Sequence, residues 1–190
     1  MNMKKKRKHL TFTEINALLH AAEQSQMPER NACMVLLIFY HGLRVSEARN
    51  LLISDLSIDE KTLYVRRSKN SFSTNQPLVD EEIHFIKAWL AVRAKMTTIG
   101  GSIYLFPNRD GRPFSRQRIY TLIKSLGESA KLTIGVYPHM LRHACGYSLA
   151  DKGADTRVLQ DYLGHKNIRH TVLYTASNTM RFKGLWQKKG

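Results

Sequence analysis

Acidic residues are scarce in this chain: 15 Asp and Glu stand against 30 Lys and Arg in 190 residues. Carboxylates so few and so scattered supply a two-metal nuclease poorly and form no cluster suited to magnesium. Cysteine is scarcer still, with only Cys33 and Cys145. Each falls among apolar neighbours of an expected helix, and neither has a second Cys or His at ligand spacing. That argues against a disulfide framework or a zinc site and reads as two buried thiols in a reducing cytoplasm. Long apolar runs are missing. The longest, Ala32 to Tyr40, has core-helix length and falls well short of the roughly 18 residues of a membrane span. No apolar signal region follows the N-terminus. There is no Gly-x-x-x-x-Gly-Lys phosphate loop, no His-Glu-x-x-His pair, no internal repeat and no dividing linker. One compact domain without a metal, nucleotide or other cofactor is the economical expectation.

What is present is positive charge, a formal net of +15. Such an excess repels itself, so a polyanionic partner is expected, and nucleic acid is favoured over membrane. The run Lys4, Lys5, Lys6, Arg7, Lys8 reads either as a solvated tail or as an arm on DNA phosphates. Hydrophobic residues at 43% and charged residues at 24% are otherwise ordinary for a globular protein.

The spacing of apolar residues predicts a mainly α chain with a small antiparallel β-sheet (α+β). Thr11-Phe12-Thr13-Glu14 fits a capping box ahead of a helix burying Ile15, Leu18, Leu19 and Ala22. A second helix is expected from Asn31 to Tyr40, and a short one from Ser46 to Leu51 with Ser46 as its cap. Leu63-Tyr64-Val65 reads as a strand, with Pro77-Leu78-Val79 ending its partner and a basic turn between them. Helices follow at Glu81 to Lys95, Ser115 to Ala130, Pro138 to Lys152 and Thr156 to Leu163. Ile83, Ile86, Ala88, Leu90 and Ala91 are available for burial in the first of these. Gly153 and Gly164 sit where helices end, and Asn108 to Pro113 is a loop.

Several residues are suited to phosphate chemistry. His139 and Arg142 lie three apart at the start of a helix, so they share a face, and Pro138 suits its first turn. An arginine there can fork onto two oxygens of one phosphate. Taken alone, His-x-x-Arg is a short motif that fits any surface pair. Arg44 follows Gly42-Leu43 with Glu47 one turn on, either as a local ion pair or as an arginine held for a substrate. Tyr174, nine residues beyond His165, is the candidate nucleophile. A phenol needs a base or nearby cations to attack at neutral pH, which Arg44, Arg142, His165 and His139 can supply. Lys69, on the turn between strands, is the candidate general acid, with Lys61, Arg66 and Arg67 as competitors. Tyr147, Tyr162 and the remaining histidines, His143 among them, are expected to be structural or solvated.

The series Arg44, Lys69, His139-x-x-Arg142, His165 and Tyr174, with the phrases Gly-Leu-Arg-Val-Ser-Glu, Leu-Gly-His and Tyr-Thr, resembles the tyrosine recombinase (phage integrase) family. The likeness spans nearly the whole chain and implies the tyrosine recombinase catalytic-domain fold. It implies that Tyr174 would attack a DNA phosphate, leaving a 3′-phosphotyrosyl link and a free 5′-hydroxyl. Arg44 and Arg142 would clamp the phosphate, His165 would bond to it, His139 would assist proton movement and Lys69 would protonate the leaving oxygen. The covalent link preserves the bond energy, so no ATP is implied.

Family members usually carry a further N-terminal helical domain, whereas here the pattern begins almost at once. This layout resembles the short bacterial invertases that switch fimbrial promoters in phase variation. The resemblance therefore implies duplex DNA with inverted repeats as substrate, a homotetramer on it and DNA-bending accessory proteins, in the cytoplasm at the nucleoid. The expected division is a basic arm (1–10), a catalytic domain (11–176) and a tail (177–190). The tail's Met180, Phe182, Leu185 and Trp186 either cover the chain's own core or dock in trans. DNA contacts are expected at Lys4, Lys5, Lys6, Arg7, Lys8, Arg66 and Arg67. The rival readings are a type IB topoisomerase and a non-catalytic DNA-binding regulator.

Overall fold

The structure, a computed structural model, describes residues 7–67, 71–99 and 101–176. Helix α1 (Phe12–Glu23) starts at the expected box: Glu14 N–H donates to Thr11 Oγ1 at 3.3 Å, and Thr11 N–H donates to Glu14 Oε2 at 2.8 Å. Its four anticipated apolar residues are all buried. Helix α2 (Pro28–Tyr40) begins three residues earlier than expected, because Pro28 is pre-set for a first helical turn. The whole stretch from Ala32 to Phe39 is buried, and α1 packs along α2.

At its carboxyl end Gly42 turns with φ 55°, where a Cβ would collide with the Leu163 side chain. This close approach sets Arg44 beside a segment more than a hundred residues distant. Helix α3 (Val45–Arg49) is capped at Arg44 rather than Ser46, since the Glu47 carboxylate reaches the Arg44 N–H at 2.8 Å.

Three antiparallel strands follow in the order β1 (Leu56–Ser57), β2 (Thr62–Val65), β3 (Thr74–Pro77). Leu63 pairs with Gln76, and Val65 with Thr74. Strand β1 escaped the sequence because two residues carry no alternation. Strand β3 stops before Leu78 and Val79, for Val79 already caps α4 (Asp80–Ala94) through the Glu82 carboxylate at 3.0 Å. In α4 Trp89 occupies the core, its indole donating to Leu105 O at 2.9 Å, while Ala91 faces solvent. Glu82 is buried against His41 at 2.9 Å, and His41 also meets Gln76 at 2.8 Å, joining α2, β3 and α4.

Helices α5 (Arg116–Ser129), α6 (Pro138–Asp151) and α7 (Thr156–Leu163) lie where the periodicity placed them. Helix α7 ends at Gly164 with φ 63°. Helix α8 (Arg169–Ala176) was not foreseen, for a physical reason. Its buried face is Thr171, Tyr174 and Thr175, while Val172 and Leu173 face outward, so apolar spacing gives no helical signal. Most helices share one core. A smaller cluster of Cys145, Ala150, Leu159, Leu163 and Tyr174 ties α6, α7 and α8 together, and the candidate site lies along it. Both cysteines are free and buried.

Candidate active site

Arg142 enters the site from the second turn of α6. Its side chain is 1% exposed, so its charge must be satisfied from within. One guanidinium nitrogen donates to Gly42 O, the other to Leu163 O at 2.7 Å. Arg44 donates to Glu47 Oε1 at 2.7 Å and to Gly164 O at 2.9 Å. A third arginine joins them: Arg67 donates to Glu47 Oε2 at 2.6 Å and to Tyr162 O at 2.5 Å. The carbonyls of residues 162, 163 and 164 thus each accept from a different arginine. A helix leaves its last carbonyls unpaired and carries partial negative charge there, so the end of α7 is a natural cation seat.

Those three guanidiniums share one carboxylate. Glu47 lies 2.7 Å from Arg44, 2.6 Å from Arg67 and 3.9 Å from Arg142. The local charge remains positive, which favours an incoming anion. Burial and the neighbouring Arg44 guanidinium draw Arg142 down to about 10, still charged at neutral pH.

His165 follows directly after Gly164. Its Nδ1 meets the buried Thr171 hydroxyl at 2.8 Å. When that hydroxyl donates, the imidazole proton sits on Nε2 and is available as a donor to the cleft. Burial, Arg142 and Arg44 push His165 down to about 3, so the ring is neutral at physiological pH. His139 is also lowered, first by burial and then by the same two arginines.

Tyr174 projects from α8 into this cleft and is 2% exposed. Its ring stacks on His165 at 6.2 Å and meets the edge of Tyr147 at 5.1 Å. Beneath it lies Gly146, where a Cβ would stand 2.7 Å from the ring. Burial lifts the phenol to about 12, with Arg142 opposing the rise. The hydroxyl meets His143 Nδ1 at 2.9 Å. A cleft of about 470 Å³ is lined by Arg44, His139, Arg142, His143, His165, His170 and Tyr174. Arg44, His139, Arg142, His165 and Tyr174, five of the expected residues, are therefore gathered around one space.

Gly146→Ala tests that cradle. Alanine favours a helix interior by about 1 kcal/mol, so folding should be retained. The ring must shift, however, and displaced reacting atoms can cost roughly 100-fold in rate. Thermal melting should be little changed, while formation of a covalent DNA adduct, followed on a gel, should fall by about that factor.

Lys69, Lys4, Lys5 and Lys6 and the tail 177–190 lie outside the described residues. Lys8 is exposed, and Arg7 pairs with Glu14 at 2.5 Å. Arg66 is half exposed but bonded to the buried Asp55. Arg67, expected as a DNA contact, instead has a wholly buried side chain committed to Glu47 and backbone carbonyls. Strand alternation contained that signal, because residues 63, 65 and 67 share one face. His143 was likewise underrated, although its four-residue spacing from His139 on α6 puts both on one side of the helix. Their rings meet edge to face at 4.4 Å. Among the described residues no group of three His, Cys, Asp or Glu could hold a metal, and no helix is long and apolar enough to cross a membrane.

Residues 8–181 match the pattern of the Phage integrase family. The chain is 48% identical over 184 residues to the type 1 fimbriae regulatory protein FimB of Escherichia coli K12, covering 97% of this chain and 92% of FimB. The crystal structure of XerA recombinase superposes with a TM-score of 0.82 at 28% identity, over 98% of this chain and 65% of that one. XerH site-specific recombinase, bound to its difH substrate before cleavage, gives 0.78 at 25% identity, over 96% of this chain and 54% of XerH. The chain thus spans somewhat less than two thirds of these solved recombinases.

Proposed function

Because this chain belongs to the phage integrase family, the tyrosine recombinases, we propose that it breaks and rejoins duplex DNA at specific sites to invert a promoter element in fimbrial phase variation. Tyr174 attacks the scissile phosphate and becomes its 3′-phosphotyrosyl carrier. Arg44 and Arg142 grip the non-bridging oxygens, and positive charge already in place where negative charge develops is an effective catalytic device. His165 donates to the same phosphate, His139 assists proton movement and Lys69 protonates the departing 5′-oxygen. Glu47 holds Arg44. Residues 11–176 form the catalytic domain. On inverted repeats four copies assemble, with the basic arm on DNA phosphates, the tail 177–190 docking on a neighbouring copy and accessory proteins bending the DNA.

The observation that carries this reading is the excess of positive charge beside a buried phenol: Arg44 and Arg142 line one cleft with Tyr174, and they share with Arg67 the single Glu47 carboxylate. A regulator that only bound DNA would need no such buried phenol. The test is a supercoiled plasmid bearing a promoter between inverted repeats taken from beside the gene. Inversion of the segment, scored by restriction mapping, is the expected outcome. Relaxation of supercoils without inversion would instead indicate a topoisomerase, and shifted mobility with neither product a regulator.

A further inference from the structure

We propose that His143 orients the Tyr174 hydroxyl for attack, a role that rests on Tyr174 being the nucleophile. Helix α6 places His139, His143 and Gly146 at intervals of four and three residues, hence along one face turned to α8. Gly146, Tyr147 and His165 fix where the phenol ring lies. None of them fixes the rotation of its O–H bond. That is set by His143 Nδ1, 2.9 Å from the oxygen.

In the neutral ring that carries its proton on Nε2, Nδ1 accepts a hydrogen bond from the hydroxyl, which turns the oxygen lone pairs away from His143 and into the cleft containing Arg44 and Arg142. A protonated ring would do the reverse, donating to the oxygen and occupying a lone pair. The surroundings maintain the neutral form: burial, then His139, Arg142, His9 and Lys8, hold His143 down at about 4. His143 therefore touches the reacting atom itself, whereas no described hydrogen bond links that hydroxyl to His139.

The experiment follows covalent adduct formation on a nicked suicide duplex by wild type, His143→Ala and His143→Asn, with DNA affinity measured in parallel. Asparagine keeps an acceptor on the same branch of the side chain and guards against loss of folding. Adduct formation by His143→Ala should slow by about 100-fold at unchanged DNA affinity, and His143→Asn should recover most of that loss.

A second substrate carries sulfur in place of the bridging 5′-oxygen, and its thiolate leaves without needing a proton. The alanine defect should persist on this DNA, because the deficit lies with the attacking group. Wild-type or faster reaction by His143→Ala, asparagine no better than alanine, or repair of the defect by sulfur would each overturn the role. Failure of the underlying reading is separate: Tyr174→Phe would then still form adduct.

Discussion

Tyr174→Phe is expected to eliminate covalent DNA adduct and inversion altogether while leaving DNA binding intact. The substitution removes one oxygen and keeps the ring whose packing on Gly146, Tyr147 and His165 organises α8. The lost interaction within the fold is the contact to His143. A neutral hydrogen bond contributes about 1 kcal/mol net, so the melting temperature should move by only a few degrees. Chemistry depends on the same oxygen, because among the described residues lining the cleft only Tyr174 carries a hydroxyl that can form the ester. The check is a denaturing gel of protein on suicide DNA beside a native mobility assay. Adduct persisting in the phenylalanine variant would transfer the nucleophile to another residue.

The second large effect is expected at Arg142. Arg142→Lys preserves charge but not the planar fork that donates to Gly42 O and Leu163 O together. An ammonium has three donors on one atom, so it cannot reach both carbonyls and the phosphate with the spread, planar geometry of the fork. Removing one preorganised donor from a charge-stabilising site commonly lowers the rate by about 100- to 1000-fold. The adduct rate should fall into that range, with overall DNA affinity nearly unchanged because phosphate contacts elsewhere dominate binding. A lysine variant within a few-fold of wild type would mean that charge alone suffices and that the fork is dispensable.

Much of this was legible in the chain because the cues were local. The Thr11–Glu14 box, Pro138 ahead of α6 and Gly164 after α7 each fix a helix end through chemistry within a few residues. The five gathered site residues were legible through order and neighbouring phrases rather than spacing alone. Long-range organisation was hidden. Alternation points Arg67 inward, but its partners Glu47 and Tyr162 O lie 20 and 95 residues away, so a basic turn looked like a DNA contact. Nothing near His143 announces a hydroxyl 31 positions away. Helix α8 was concealed by its inversion of the usual rule, burying two threonines and a tyrosine while Val172 and Leu173 face out.

The end of α7 has an evolutionary consequence. Its three acceptors are main-chain oxygens, so a substitution at Tyr162 or Leu163 that preserves the packing of α7, where Leu163 is buried, still leaves the arginine seats in place. Tolerance stops at Gly164, where the left-handed turn and the Arg67 stem 2.9 Å from any added Cβ leave room for hydrogen alone. The grip on DNA is thus written in the path of the chain more than in its letters, and its genetic fragility is concentrated at a residue with no side chain.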